Sequence, residues 1–268
     1  MKRIAIKVGS NVLTRKDGTL DITRMSALTD QIAELHRRGV EVILVSSGAV
    51  ASGRSEVHPD MELDSVAARQ IFSAVGQAKL MNRYYDLFRS QGILCGQVLT
   101  TKSSLELPEH YENQKGCMEA LLGCGIIPIV NENDTISITE LMFTDNDELS
   151  GWMAQMMSCD MLIILSNIDG VYDGDPAMES SSLIAEIRPE TDDLSGCIKD
   201  EKSSFGRGGM MTKCGVALRL ASEGMQVVIA NGKRDDVILR IIDGDPSLPC
   251  TRFVTSDGPA ASHGAGVL

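Results

Sequence analysis

Residues 3–8 read RIAIKV and residues 41–45 read EVILV, and apolar side chains at helical spacing lie between them. The second run is nearly all apolar, which is typical of a strand covered on both faces of its sheet. The helix between the two runs is predicted to begin after an N-cap at Asp21 and to end before Gly39. A strand, a helix and a strand in this order predict parallel strands joined by a right-handed crossover.

The same alternation of short apolar runs and long amphipathic segments continues along the chain. Further strands are predicted at residues 93–99, 126–130, 161–165 and 225–230. Further helices are predicted at residues 65–89, 109–122 and 210–222, and through 149–157 with Asp145 or Asp147 as the N-cap. On the helix at 65–89, one side carries Ala67, Ile71, Val75, Ala78 and Tyr85. Residues 136–143, rich in Ile and Thr, suggest a hairpin arm. The pattern predicts an α/β fold with a mostly parallel sheet and helices on both faces.

The composition narrows the classes of partner. The 268 residues are 43% hydrophobic, which allows a sizeable core, and carry a net charge of −12. An acidic surface repels nucleic acid and anionic lipid, and an aromatic content of 4% leaves few side chains on which bases could stack. We therefore expect no nucleic-acid partner. A local pair of lysines can still outweigh a distant net charge, so an anionic substrate remains compatible with this composition.

The N-terminal segment, the apolar runs and the cysteines predict a cytoplasmic protein that is not in a membrane. Lys7 interrupts the first apolar run after three residues, unlike a signal peptide. The longest apolar runs are far shorter than the roughly 18 residues that a membrane span needs. Seven cysteines, an odd number without CxxC spacing, indicate neither a disulfide framework nor a zinc site.

Polar or glycine-containing segments follow four of the predicted strands. They are Gly9-Ser10-Asn11, Ser46-Ser47-Gly48, residues 131–134 and Ser166-Asn167. In open parallel sheets, ligands bind beyond the carboxyl ends of the strands. We therefore expect these segments to form one site.

Two lysines could supply positive charge to that site. Lys7, at the end of the first strand, can point into the cleft, and the backbone amides of Gly9, Ser10 and Asn11 can face a phosphate. The alternative for Lys7 is a side chain that extends along the edge of the sheet towards water. Lys213 lies in the first turn of a helix that follows glycines, where the helix dipole and unpaired amides favour a phosphate. The alternative there is an ordinary glycine-rich turn, because the spacing is not that of a Walker A loop.

Two acidic segments complete the candidate site. Asn131-Glu132-Asn133-Asp134 and Asp145-Asn146-Asp147 could bind an ammonium group, Mg²⁺ or a pair of lysines, or could form Asx-turns and a helix N-cap. The four histidines lie outside every motif. A carboxylate acceptor has a pKa of about 4.3 and needs no general base, so the absence of histidine is compatible with carboxylate phosphorylation.

Taken together and in this order, the segments over residues 3–256 resemble the amino-acid kinase family. The resemblance implies a three-layer α/β/α sandwich with an open, mostly parallel central sheet. It is strongest to members that use ATP to phosphorylate the γ-carboxylate of L-glutamate, the first step of proline biosynthesis. It implies a kinase domain at 1–256, with an amino-acid-binding half at about 1–160 and an ATP-binding half at about 161–256. Residues 257–268 would be a tail, and we expect no C-terminal RNA-binding-like domain.

The resemblance also assigns roles to residues. Catalysis is assigned to Lys7, Lys213 and Asp147, with Asp147 orienting both lysines. Substrate contacts are assigned to Ser47, Gly48, Asn131, Asp134, Asp145 and Asn146. ATP contacts are assigned to Lys7, Gly9, Ser166, Asn167, Arg207, Gly208, Gly209, Met210, Met211, Thr212 and Lys213. Mg²⁺ is expected to accompany ATP, with no protein residue assigned as its ligand.

Other readings remain open at this point. The acceptor could instead be acetylglutamate, aspartate, carbamate or a nucleoside monophosphate, although Asp134 suits a free ammonium group. A non-catalytic nucleotide or amino-acid sensor is also open, because Ser166-Asn167 stands where the family usually has Thr-Asp. The resemblance further implies a homo-oligomer and a feedback inhibitor, proline, sensed near residues 135–143.

Overall fold

The computed structural model describes residues 1–137, 145–178, 180–189 and 209–254. Within these residues a single sheet has the order β3-β4-β2-β1-β5-β7-β8-β6. Its strands are β1 (Arg3–Val8), β2 (Glu41–Ser46), β3 (Leu94–Thr100), β4 (Ile126–Glu132), β5 (Met161–Ser166), β6 (Glu186–Ile187), β7 (Gln226–Asn231) and β8 (Cys250–Phe253). Neighbouring strands from β3 to β7 are parallel, whereas β8 runs antiparallel to β7. The predicted mostly parallel sheet is confirmed.

Helices connect the strands. The described part of the chain contains α1 (Ser10–Leu13), α2 (Ile22–Arg37), α3 (Ala49–Arg54), α4 (Ser65–Ser90), α5 (Lys102–Glu106), α6 (Pro108–Gly123), α7 (Asn146–Met156), α8 (Met210–Ser222) and α9 (Val237–Ile242). The bounds of β1 and α8 agree with the prediction. The Asp21 carboxylate accepts a hydrogen bond from the amide of Arg24 at 3.1 Å, so the predicted cap of α2 is confirmed. Residues 138–143 of the suggested hairpin arm lie outside the described residues.

The sheet divides the hydrophobic core into two clusters. Successive side chains of a strand point to opposite faces. Ile4 and Ile6 of β1 therefore pack with α2, α4 and α9, whereas Ala5 packs with α6, α7 and α8. Helices thus cover both faces of the sheet, and the three-layer α/β/α sandwich is confirmed. Lys7 follows Ala5 by two residues and lies on the face that α7 and α8 cover.

The side of α4 that faces the core differs from the apolar side seen in the sequence. On that apolar side, Ile71, Val75 and Tyr85 are 38%, 39% and 41% exposed. The buried side carries Ser73, Gly76, Gln77, Leu80, Tyr84 and Phe88. The reason is close packing of α4 on α3: a Cβ added at Gly76 would lie 1.8 Å from the carbonyl oxygen of Ala49.

Membrane spans were sought among the helices. In the part of the chain that the structure describes, none is both long and apolar enough to cross a bilayer.

Candidate active site

A cavity of about 660 Å³ opens at the carboxyl ends of the parallel strands. Its walls come from the ends of β1, β2, β4 and β5 and from the first turns of α7 and α8. The predicted site residues that line it are Lys7, Gly9, Ser47, Gly48, Asn131, Asp134, Asp145, Asn146, Asp147, Ser166, Asn167 and Lys213. The four strand-end segments therefore meet in one site, as the position of ligands in open sheets predicts.

The predicted nucleotide segment before α8 lies only partly within the described residues. Arg207 and Gly208 lie outside the described residues. Gly209 precedes α8, and Met210, Met211 and Thr212 form its first turn, but these four residues do not line the cavity. Within the described residues, no side chain caps the N-terminus of α8. The role of its amides in holding a phosphate stays a prediction.

Asp147 joins the two lysines at the centre of the cavity. Its Oδ1 lies 2.5 Å from Lys7 Nζ, and its Oδ2 lies 3.0 Å from Lys213 Nζ. The Asp147 side chain is fully buried, and both lysine side chains are less than a tenth exposed. Lys7 therefore points into the cleft, and its alternative place at the edge of the sheet is excluded.

The charge of Asp147 is maintained by the lysines. Burial acts to raise the pKa of this carboxyl, but the charges of Lys7 and Lys213 outweigh burial and hold the pKa below its usual range. Asp147 is thus an ionised group that offsets part of the positive charge. A carboxylate between two ammonium groups sets their separation and keeps both facing the cavity.

The first turn of α7 positions Asp147. Asp145 is the N-cap, and its Oδ1 accepts hydrogen bonds from the backbone amides of Asp147 at 2.7 Å and Glu148 at 3.0 Å. Of the two N-cap candidates, Asp145 is therefore the cap. Burial and the neighbouring charge of Asp147 raise the pKa of Asp145 to about 6, against the opposing effect of Lys7 and Lys213.

Asn146 connects two other predicted substrate residues, Ser47 and Asn131. Its Nδ2 donates to Ser47 Oγ at 2.9 Å and to Asn131 Oδ1 at 3.0 Å. Asn131 in turn donates from Nδ2 to Gln77 Oε1 of α4 at 2.9 Å. The ends of β2 and β4 and the start of α7 are thereby held in one hydrogen-bonded group.

Two glycines let the backbone approach the site. Gly48 has a φ of 104°, in the left-handed region that side chains disfavour. A Cβ at Gly9 would lie 3.2 Å from Leu165 O and 3.6 Å from Lys7 Nζ. The amide of Gly9 donates to Leu165 O at 3.1 Å, at the junction between β1 and β5. The assignment of Gly9 to ATP binding stays a prediction.

Arg69 of α4 is a cavity residue that the sequence reasoning missed. Its Nε donates to Asp134 Oδ1 at 2.7 Å, and its Nη2 lies 3.3 Å from Glu132 Oε2. Ser73, one turn further along α4, donates to Asp134 Oδ2 at 3.1 Å. The signal in the sequence was the pair of acids at the end of a buried strand, which calls for a cation. Arg69 lies more than 60 residues before these acids in the chain, so the sequence alone did not identify it as their partner.

The architecture agrees with the comparisons to known proteins. Residues 2–231 match the sequence model of the Amino acid kinase family. The chain belongs to this family. The resemblance on which the site assignments rest is thereby confirmed, and this amino-acid kinase has named relatives at high identity.

Two relatives show how far the similarity extends. The chain is 62% identical over 260 residues to a glutamate 5-kinase of Bacteroides thetaiotaomicron, covering 97% of this chain and 72% of that one. It is 44% identical over 245 residues to a glutamate 5-kinase of Symbiobacterium thermophilum, covering 91% and 93%. Each alignment covers at least nine tenths of this amino-acid kinase.

A solved structure supports the fold alone. The UMP kinase of Ureaplasma parvum superposes with a TM-score of 0.64 at 14% identity, over 94% of this chain and 98% of the UMP kinase. At that identity the likeness concerns architecture and carries nothing about the acceptor.

Proposed function

We propose that this amino-acid kinase transfers the γ-phosphoryl group of ATP to the γ-carboxylate of L-glutamate. The products are L-glutamyl 5-phosphate and ADP, and the reaction is the first step of proline biosynthesis. The observation that carries the proposal is the buried Asp147 between Lys7 and Lys213, in a cavity that Asp134 also lines. The names of the relatives, glutamate 5-kinase in both cases, support the choice of acceptor.

The two lysines account for the chemistry. The γ-carboxylate of glutamate and the phosphates of ATP are both anionic and repel each other. Phosphoryl transfer needs positioning and neutralisation of charge more than covalent work by the protein. Lys7 and Lys213, held together by Asp147, place two positive charges where the phosphoryl group passes between donor and acceptor. The acceptor carboxylate is already ionised at neutral pH, so no general base is required.

Asp134 and the residues at the ends of β2 and β4 suit the amino-acid end of the substrate. The Asp134 carboxylate would accept a charge-assisted hydrogen bond from the α-ammonium group. Ser47, Gly48, Asn131 and Asn146 would hold the carboxylate groups through hydroxyl, amide and backbone donors. An acetylated amine has no positive charge for Asp134, so acetylglutamate is a poorer fit than glutamate.

ATP would lie across the C-terminal end of β5 and the N-terminal end of α8. Ser166 and Asn167 line this side, and the Ser166 hydroxyl lies 3.4 Å from Asn167 Oδ1. Gly209 to Lys213, with Arg207 and Gly208 before them, would surround the phosphates. Among the described residues, no group of three or more acidic, His or Cys side chains is arranged to hold a metal. We propose that Mg²⁺ enters bound to the ATP phosphates, as part of the substrate.

The decisive experiment measures ADP release from Mg-ATP with L-glutamate, with hydroxylamine present to trap the acyl phosphate as a hydroxamate. Acetylglutamate and aspartate are run in parallel. We expect glutamate-dependent ADP release matched by hydroxamate. Activity with a rival acceptor and none with glutamate would overturn the substrate, and binding of both ligands without ADP release would favour a sensor.

The location, assembly and regulation of the protein belong to the same proposal. We propose a cytoplasmic homo-oligomer that is inhibited by proline, sensed near residues 135–143. The amino-acid-binding half would span about 1–160 and the ATP-binding half about 161–256. The cavity draws residues from both halves, which supports this division.

A further inference from the structure

Arg69 faces two buried carboxylates at the end of β4. The side chains of Glu132 and Asp134 are 3% and 5% exposed, while that of Arg69 is 22% exposed. The guanidinium lies against both acids, through Nε and Nη2 to Asp134 and through Nη2 to Glu132. Of the described positive side chains that line the cavity, Arg69 is the one paired with these acids.

Charge explains why the arginine is needed there. Two buried carboxylates repel each other, and removing them from water is costly. A guanidinium that contacts both offsets these costs through charge-assisted hydrogen bonds. One positive and two negative groups leave a net charge of −1, which matches the single positive charge of an α-ammonium group.

We infer that Arg69 is a positioning residue for the acceptor amino acid. It holds the Asp134 carboxylate where that group receives the α-ammonium of the substrate. This inference rests on the proposed function and names the residue that sets selectivity at the same site.

The geometry leaves room for the ammonium group. Both Nε and Nη2 of Arg69 lie against Asp134 Oδ1, and Ser73 donates to Oδ2 at 3.1 Å. Each carboxylate oxygen offers about two lone-pair sites, so acceptor capacity remains on Oδ2. Arg69 and Ser73 lie four residues apart on α4, so one rigid helix fixes the carboxylate from two points.

A direct contact of Arg69 with the substrate α-carboxylate is disfavoured. To make that contact, the guanidinium would have to leave Glu132 and Asp134, and two buried negative charges would lose their compensation. Removing one partner of a buried ion pair is strongly destabilising. The α-carboxylate therefore falls to other donors of the cavity.

The test compares Arg69→Met, Arg69→Lys and Ser73→Ala with the matched control Arg83→Met, which changes an exposed arginine of the same helix. The readouts are kcat and KM for glutamate and for ATP. Glutarate, which lacks the ammonium group, and 4-aminobutyrate, which lacks the α-carboxylate, serve as analogue acceptors.

For Arg69→Met we expect KM for glutamate to rise at least about tenfold, with kcat and KM for ATP nearly unchanged. The preference for glutamate over glutarate should fall by a similar factor, because the ammonium site is lost. Arg69→Lys should retain part of the preference for glutamate over glutarate. Ser73→Ala should shift the preference in the same direction by less, and it keeps the test open if Arg69→Met does not fold.

Three results would overturn the inference. If Arg69→Met reduced the preference for glutamate over 4-aminobutyrate but not the preference for glutamate over glutarate, Arg69 would contact the α-carboxylate itself. Equal losses with every acceptor and with ATP would show a purely structural role. An unchanged KM for glutamate would show no role. Failure of the proposed function is distinguishable, because then the unmodified chain itself would release no ADP with glutamate.

Discussion

Asp147 orders the charges of the site at the level of single residues. It keeps two ammonium groups within hydrogen-bond distance of one carboxylate, 2.5 Å and 3.0 Å away. The three groups together carry a net positive charge that faces the cavity. This charge is available in advance of substrate, so little reorganisation is needed when negative charge develops in the transition state.

Removal of either lysine tests that arrangement. We expect Lys7→Ala and Lys213→Ala each to lower kcat at least about tenfold, or roughly 1.4 kcal/mol of barrier, because one of two charges on the transferred group is lost. Steady-state kinetics with saturating Mg-ATP and glutamate measure the change. The exposed Lys233→Ala is the control. Turnover equal to that of the unmodified chain would remove the lysine concerned from the mechanism.

Asp145 predicts a pH dependence of stability. Its pKa of about 6 in the folded state exceeds the ordinary value of 3.8. The folded state then binds the proton more tightly than the unfolded chain, so this group makes folding less favourable as the pH rises from 3.8 to about 6. Above that window its effect is constant.

The measurement is denaturant unfolding of the unmodified chain and of Asp145→Asn at several pH values. Asparagine keeps an oxygen for the cap but does not titrate. The free energy of unfolding of the unmodified chain, minus that of the variant, should fall between pH 4 and about 6 and then level off. A difference that rises with pH across this window would contradict the raised pKa.

At the level of elements, the contact between α3 and α4 supports the substrate wall. α3 begins directly after Ser47 and Gly48, and α4 carries Arg69 and Ser73. The close approach at Gly76 therefore sets the distance between the two sides of the acceptor site. A helix pushed outward here would separate Ser47 from Asp134.

Gly76→Ala tests this contact. The added methyl group would overlap Ala49 O, so we expect the free energy of unfolding to fall by about 1–3 kcal/mol and KM for glutamate to rise. Gly116→Ala in α6 is a matched control, because nothing lies within 4 Å of its added Cβ. Alanine is the better helix former, so the control should be neutral or slightly stabilising. A neutral Gly76→Ala would show that α4 can shift without consequence.

At the level of the whole molecule, the exposed apolar side of α4 bears on self-association. Ile71 and Val75 lie one turn apart there, with Tyr85 further along. Exposed apolar side chains in one row often mark an interface. This row supports the proposed homo-oligomer.

Light scattering after size exclusion tests the oligomer. We expect a mass that is a multiple of 28.9 kDa for the chain and a lower mass for Val75→Asp. Met178→Asp changes another exposed apolar residue and should leave the mass unchanged. A mass of one chain before any substitution would contradict the prediction.

The sequence by itself determined the elements and the residue types of the site. Caps, glycine stops and apolar periodicity act within a few residues, so β1, α2 and α8 could be located with close bounds. The ends of parallel strands share one edge, so the grouping of Lys7, Ser47, Asp134 and Asn167 was also predictable.

Only the tertiary structure decided which groups face each other. Lys213 reaches Asp147 because α7 and α8 pack on the same face of the sheet, and Arg69 reaches Asp134 because α4 packs on α3. The buried side of α4 was decided by the close approach at Gly76 rather than by its most apolar residues. Local patterns record whether a segment is helical, whereas the choice of partners depends on packing between segments that are far apart in the chain.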